Sequence, residues 1–153
     1  MRAVVQRVNR SSVLIDGKIH SQIGKGILIL LGVKNDDTEE DAKYLANKCA
    51  NLRIFDDENR RMNFSVKDIN GEALVVSQFT LYGDTRYGNR PDFTQASKPE
   101  QAETLYNKFV DYLKQLIGEE KVKTGVFRAM MVVEITNDGP VTLIVESKEK
   151  VQK

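Results

Sequence analysis

The sequence predicts an α+β fold: one domain of mostly antiparallel strands carrying two helices. Three observations carry that prediction. Only two segments, one after Asp37 and one after Pro99, repeat apolar residues at helical spacing. The other apolar segments are short, strand-length runs separated by turn residues. Neither an internal repeat nor a linker interrupts them.

Taken in order, Val4 to Val8 reads as a strand. Ser12 to Ile15 and Lys18 to Gln22 flank Asp16-Gly17, the strongest short hairpin signal, because such turns need positive φ. Gly26 to Val33 (GILILLGV) is apolar without a break, so it is a strand covered on both faces or a short buried segment. A helix follows. Asp37 with Glu40, or Thr38 with Asp41, has the spacing of a capping box. Ala42, Leu45, Cys49 and Leu52 then share one helical face. Arg53 to Phe55 looks extended, and FDDENRRMN is a polar hairpin-like loop. Ala73 to Leu81 (ALVVSQFTL) is a second buried strand, and Tyr82 to Lys98 is a long loop rich in Gly, Arg, Asn and Pro. Pro99 suits the first turn of a second helix, which ends at Gly118 and carries the stripe Leu105, Phe109, Tyr112, Leu113, Leu116. Val122 to Phe127 reads as extended, and Ala129 to Ile135 and Val141 to Glu146 as strands. The end, SKEKVQK, is charged and expected to fray.

Composition removes several function classes. The 153 residues suit one domain with its own core. With 29% charged and 41% hydrophobic residues, the chain reads as soluble and globular. Gly26 to Val33 is too short to span a bilayer, and MRAVVQRVNR lacks the apolar centre of a secretory signal. A single cysteine, Cys49, leaves no intrachain disulfide framework and fits a reducing, cytoplasmic compartment. Cys49 lies on the helical stripe and reads as inert core. One histidine, His20, with one cysteine makes no zinc site of the usual kind, so neither metal nor cofactor is expected. A net charge of +1 argues against broad coating of nucleic acid but leaves room for a small contact.

Three stretches carry possible chemistry. In ITNDGPVTL, Asp138-Gly139 alone would suit a two-residue hairpin turn. Pro140 removes an N–H where the returning strand should begin pairing and restricts Gly139, so a tight hairpin is not what is built. In ALVVSQFTLYGD, four apolar residues lead into Ser77, Gln78, Phe79 and Thr80. Hydroxyls and an amide at a strand end can line a pocket, or simply satisfy local backbone groups. A hydroxyl nucleophile needs a base. His20 lies in polar surroundings just past a hairpin turn. Glu146, Asp84 and Asp92 are candidates that no spacing selects, and no G-x-S-x-G elbow exists. In DTRYGNRPDF, Arg86 and Arg90 interleave with Tyr87 and Phe93, a pattern that can hold phosphates and stack bases or form a solvated loop.

Taken together, SQFTLYGD and NDGPVT resemble the motifs of the D-aminoacyl-tRNA deacylases. The similarity runs nearly the whole length, through MRAVVQRV, GILILLGV, GNRPDFTQA, TGVF and NDGPVTLIVES. It implies a barrel-like domain over residues 1–148, with 149–153 as a charged tail. It implies a small homodimer that hydrolyses the ester between a D-amino acid, or mischarged glycine, and the acceptor end of tRNA, with no membrane association. By resemblance Thr80, Gln78 and Phe79 are the catalytic positions and Ser77 lines the pocket. Gly139 and Pro140 form a cis peptide that enters the partner's active site. Its aligned carbonyls would admit a D-residue or glycine and clash with an L side chain. Arg7 holds that loop and Asn137 belongs to it. Arg86, Arg90 and Arg128, with Lys98 nearby, are the candidate tRNA contacts. Arg128 is a departure, since Gly is common there in the family. Without a readable base, Thr80 is expected to position rather than attack, while backbone N–H groups near Phe79 and Thr80 stabilise the oxyanion. Three other readings stay open: a non-catalytic RNA-binding module on the same fold, a general esterase or thioesterase, and a metal hydrolase.

Overall fold

The computed structural model describes residues 1–148. Its strands are β1 (Arg2–Ile15), β2 (Lys18–Ile23), β3 (Gly26–Gly32), β4 (Phe55–Asp56), β5 (Met62–Phe64), β6 (Glu72–Ser77), β7 (Val122–Thr124) and β8 (Val132–Glu146). The helices are α1 (Glu39–Asn51) and α2 (Pro99–Ile117), with short 3-10 turns at Phe79–Tyr82 and Glu119–Lys121.

A six-stranded mixed sheet dominates, in the order β2-β1-β3-β6-β7 with β8 along β1. The long β1 serves three partners. Arg2 to Val8 pairs with β3, Ser11 to Ile15 pairs with β2, and β8 runs antiparallel along nearly its full length. β3–β6 and β6–β7 are parallel. At the far side β2 returns towards β7, where the Ser21 hydroxyl donates to the Thr124 carbonyl at 2.7 Å, so the sheet nearly closes into a barrel.

The uninterrupted apolar run is explained by two cores. Along β3, Ile27, Ile29 and Leu31 join the helices, while Leu28 faces a second cluster with Val8, Val13, Ile23, Leu74 and Val76. β6 alternates the same way. Cys49 is fully enclosed by this packing, and burial pushes its thiol up to about 12. Among the described residues no helix is long and apolar enough to cross a membrane.

Thr38–Asp41, rather than Asp37–Glu40, forms the capping box of α1. Asp37 is otherwise engaged: it is buried, pairs with the Met1 α-ammonium at 2.7 Å and accepts the Lys34 N–H at 2.6 Å. Ser147 and Lys148, read as part of a frayed end, are fixed here. The Ser147 hydroxyl accepts from the Met1 ammonium at 2.9 Å, and Lys148 lies 3.1 Å from Asp41. Residues 149–153 of the expected tail lie outside the described residues.

Asp41 has a consequence for acid stability. Burial opposes its ionisation, but the Thr38 N–H, the Ser147 hydroxyl and the Lys148 ammonium outweigh burial and bring it down to about 2. A carboxylate depressed on folding stabilises the protein above its unfolded value, near 4, and loses that contribution as pH falls from about 4 towards 2. Asp41→Asn is expected to cost about 2 kcal/mol at pH 7 and to lower Tm by about 4–8 °C. The difference should nearly vanish in thermal melts near pH 2.

Several expected boundaries move: the strand read from Ala129 begins at Val132, and Val4 to Val8 and Ser12 to Ile15 belong to one strand, β1. The strand predicted over Ala73 to Leu81 stops at Ser77, because β3 ends at Gly32 and offers no further partner. The Gln78 N–H donates to the Leu31 carbonyl, one residue before the end of β3, at 2.8 Å, and the chain then winds into the 3-10 turn. Gly32 lets that turn pack close: a Cβ there would sit 3.1 Å from the Gln78 carbonyl oxygen. The extended reading of Val122 to Phe127 holds only to Thr124, since Val126 to Ala129 turns, with Arg128 at φ +68. The strands expected on either side of Gly139-Pro140 are one strand, β8.

Candidate active site

The end of β6 opens onto a cavity of about 700 Å³. Ser77, Gln78 and Phe79 form one wall, Lys98, Pro99 and Ala102 at the start of α2 another, and Phe127 to Met131 a third. Its floor is apolar, from Leu31, Val76 and Val133.

A 3-10 turn satisfies donors only from its fourth residue onward, counting from the residue whose carbonyl accepts first. Here Gln78 is that acceptor, with the Leu81 N–H at 3.3 Å, so the Phe79 and Thr80 N–H groups precede the first bonded donor. Phe79 lines the cavity, whereas Thr80, the next residue, lies outside its lining. The Gln78 amide donates to the Thr80 hydroxyl, and Thr80 is exposed. Two supports hold the turn. Arg2 donates to the Leu81 carbonyl at 2.7 Å and lies 4.8 Å over the Tyr82 ring. Phe93 packs edge-to-face on Phe79, with centroids 5.2 Å apart.

No candidate base reaches the cavity wall. Glu146 pairs with Arg2. Asp84 holds Arg86 through two bonds of 2.9 and 2.7 Å, which bring its carboxyl down to about 2. Asp92 accepts the Thr94 N–H at 2.7 Å. His20 is exposed on β2. Among the described residues no group of three or more His, Cys, Asp or Glu is placed to hold a metal.

The basic residues divide. Lys98 and Arg128 line the cavity. Arg128 adopts left-handed φ of +68, a conformation glycine takes without strain. Arg86 is turned back onto Asp84 and lies 5.3 Å over the Tyr87 ring. Arg90 is exposed in the same loop. Reciprocal backbone bonds between Asp84 and Asp92, of 2.7 and 2.9 Å, close the base of that loop.

Arg7, Asn137, Gly139 and Pro140 form a second group away from the cavity. Gln6 pairs with Thr142 and Val8 with Asn137, so residues 138–141 bulge out of β8 opposite Arg7. The Asn137 amide clamps the base of the bulge, donating to the carbonyls of Arg7 and Val141, each at 3.0 Å. Arg7 donates to the Asp138 carbonyl at 3.2 Å and to the Ile54 carbonyl at 2.7 Å. The Gly139–Pro140 peptide is cis, and both residues are exposed. Arg7 lies opposite Ile27 and Ser77 opposite Leu31, four residues along β3 and so about 13 Å. Within one chain the two groups do not meet.

Several residues of these sites carry no motif signal. Ile54 acts through its carbonyl, which any residue supplies. Ala102 and Met131 wall the cavity as ordinary apolar positions.

Fold and cavity together define a class: a small, nearly closed mixed-sheet domain whose pocket offers backbone donors, an amide and hydroxyls without an acid–base pair. A family model described as D-Tyr-tRNA(Tyr) deacylase matches residues 4–146, and the chain belongs to that family. It is 59% identical over 149 residues to a Caldicellulosiruptor saccharolyticus protein named D-aminoacyl-tRNA deacylase, covering 97% of this chain and 99% of that one. A protein of the same name from Dictyoglomus turgidum is 55% identical, over 97% and 94% of the two chains. A solved structure described as a c-Myc DNA unwinding element binding protein superposes with TM-score 0.91 at 46% identity, covering 95% of this chain and 98% of that chain. Another, described as a probable eukaryotic D-amino acid tRNA deacylase, has TM-score 0.82 over the same shares of chain; at 17% identity it shows a shared fold.

Proposed function

We propose that this protein is a cytoplasmic homodimer that hydrolyses the ester linking a D-amino acid, or misplaced glycine, to the 3′ end of tRNA. One observation carries the reading. The turn after Gln78 leaves the Phe79 and Thr80 N–H groups unbonded beside a cavity lined by Ser77, Gln78 and Phe79 and, among the described residues, by no base, in a chain 59% identical to a protein named D-aminoacyl-tRNA deacylase. An aminoacyl ester is already activated, so positioned water and a stabilised oxyanion suffice. The Phe79 and Thr80 N–H groups bind that oxyanion, Gln78 orients the pocket, and Ser77 lines it. The neighbouring ribose hydroxyl helps position the water.

Gly139 and Pro140 of the partner subunit complete the site. The separation of the two groups within one chain supports this. So does β8, which pairs with β1 alone among the described residues and carries Val132 and Ile144, 62% and 69% exposed. Backbone carbonyls of the bulge, held by Arg7 and Asn137, crowd one side of the substrate Cα. They reject an L side chain by clash and pass a D side chain or glycine, whatever the side chain's chemistry. Arg128 and Lys98 are placed for the acceptor-end phosphates, with Arg90 further out; Arg86 contributes less while Asp84 holds it.

The reading is tested by offering the protein one tRNA charged with D-tyrosine and, in parallel, with L-tyrosine. Release of D-tyrosine alone is expected. Release of both would remove the chiral filter, and release of neither would remove the enzyme. Thr80→Ala is expected to keep kcat within about tenfold of wild type, against the far larger loss from deleting an activated nucleophile. Complete loss with intact folding and tRNA binding would make Thr80 the nucleophile. A second reading, a nucleic-acid-binding module without turnover, draws on the 46%-identical structure described as a DNA unwinding element binding protein. Binding of aminoacyl-tRNA without release of either amino acid would favour it.

A further inference from the structure

We propose that Phe93 is a positioning residue, whose ring fixes the direction of the Phe79 and Thr80 N–H groups by bearing on both ends of the turn that carries them. The inference rests on the deacylase reading for its catalytic consequence. At the front of the turn, the Phe93 and Phe79 rings meet edge-to-face, 5.2 Å apart and 69° between planes. At the back, Phe93 packs on Gly83. A Cβ at Gly83 would lie 3.0 Å from Phe93 Cε1 and 3.0 Å from the Thr80 carbonyl oxygen. The Gly83 N–H in turn donates to that Thr80 carbonyl at 2.9 Å. One side chain therefore touches the first residue of the turn and the residue that closes it.

The ring is itself held. The Asp84–Asp92 backbone pair fixes the residue before Phe93, and the Phe93 carbonyl accepts the Ala96 N–H at 3.1 Å. Asp92 also accepts the Thr94 N–H at 2.7 Å. Asn35 docks the following segment, taking the Gln95 carbonyl through its backbone N–H at 3.0 Å. A purely structural role explains this poorly. Phe79 is 56% and Phe93 38% exposed, so their contact adds little to the core.

The test combines steady-state deacylation of D-tyrosyl-tRNA with thermal melts and the amide NMR shifts of Phe79 and Thr80. It uses Phe93→Leu, Phe93→Tyr and Gly83→Ala. In Phe93→Leu, kcat is expected to fall roughly tenfold to a hundredfold, less than loss of a whole oxyanion donor costs. KM should stay within about threefold, since positioning acts on the transition state. Melting should barely change, and the two amide shifts should move. Phe93→Tyr, which keeps the ring, should restore kcat. Gly83→Ala, whose Cβ would press on both Phe93 and the Thr80 carbonyl, should lower kcat as well. An unchanged kcat, a rise in KM alone, or failure of Phe93→Tyr to rescue would overturn the proposal. If the wild type releases no D-tyrosine, the deacylase reading falls first. The amide shifts then decide the rest: unmoved shifts overturn the positioning role, and moved shifts support it.

Discussion

Gly139→Ala is expected to lower kcat/KM for D-tyrosyl-tRNA by about a hundredfold, the scale of a misplacement near one ångström in a catalytic arrangement. The cause is local and double. Gly139 has φ +115, which L side chains rarely adopt, at a cost of roughly 1–3 kcal/mol. An added Cβ would also lie 2.7 Å from Arg7 Nη2 and 3.0 Å from Val141 Cγ2. A free arginine end would step aside cheaply. This one is pinned at 2.7 Å by the Ile54 carbonyl and at 3.2 Å by the Asp138 carbonyl, so the bulge must give instead. Gly139 and Pro140 at the tip of the bulge are exposed and only Val141 at its end packs against a core, so the fold survives. With about 2 kcal/mol lost, Tm should drop by about 4–8 °C. Melts and deacylation assays on the same preparation check both halves. A rate within twofold of wild type would remove residues 138–141 from the active site.

How much of this was legible follows from which forces each element obeys. The stripes of α1 and α2 were readable because burial writes its period directly into the sequence, whereas β3, buried on both faces, shows none. Leu28 and Ile29 face different cores, which explains the unbroken apolar run that by itself left strand or buried segment undecided. The end of β6 was not readable. Leu81 continues the apolar pattern, but β3 has run out of partners at Gly32, and pairing, not hydropathy, ends a strand. The capping pair of α1 was ambiguous for a similar reason: Asp37 lost the role to a long-range ion pair with Met1. The two pieces of the candidate site, SQFT and NDGPVT, stood out through their resemblance to the family's motifs; hydroxyls and an amide at a strand end alone fit local backbone bonding equally well. The placement of the two pieces in separate groups was not legible, since register is a property of partners. Nor could composition reveal that Arg86 is occupied by Asp84, two residues away.

Arg7→Met is the substitution that separates the tether of the bulge from its backbone. Methionine keeps the apolar stem of a residue only 9% exposed and removes the fork. Four interactions disappear, two ion pairs and two bonds to backbone carbonyls, and they are unequal. The ion pairs to Asp138 and Asp56 involve carboxylates 37% and 50% exposed, so water and salt screen them to about 0–1 kcal/mol each. The bond to the Ile54 carbonyl is buried, and leaving its acceptor unmatched costs roughly 1–3 kcal/mol. The stability deficit should therefore be nearly the same at low and at molar salt, where exposed pairs are screened. Function should suffer more than stability. Without the fork the Asp138 carbonyl is no longer tied to the Ile54 carbonyl, just ahead of β4. Release of D-tyrosine is expected to fall by about tenfold or more, and the preference for D- over L-tyrosine to shrink with it. Arg7→Lys should not restore either. A single ammonium cannot span carbonyls lying at the two sides of a planar fork. Full rescue by lysine would show that charge alone holds the bulge, and unchanged discrimination in Arg7→Met would show that the bulge holds itself.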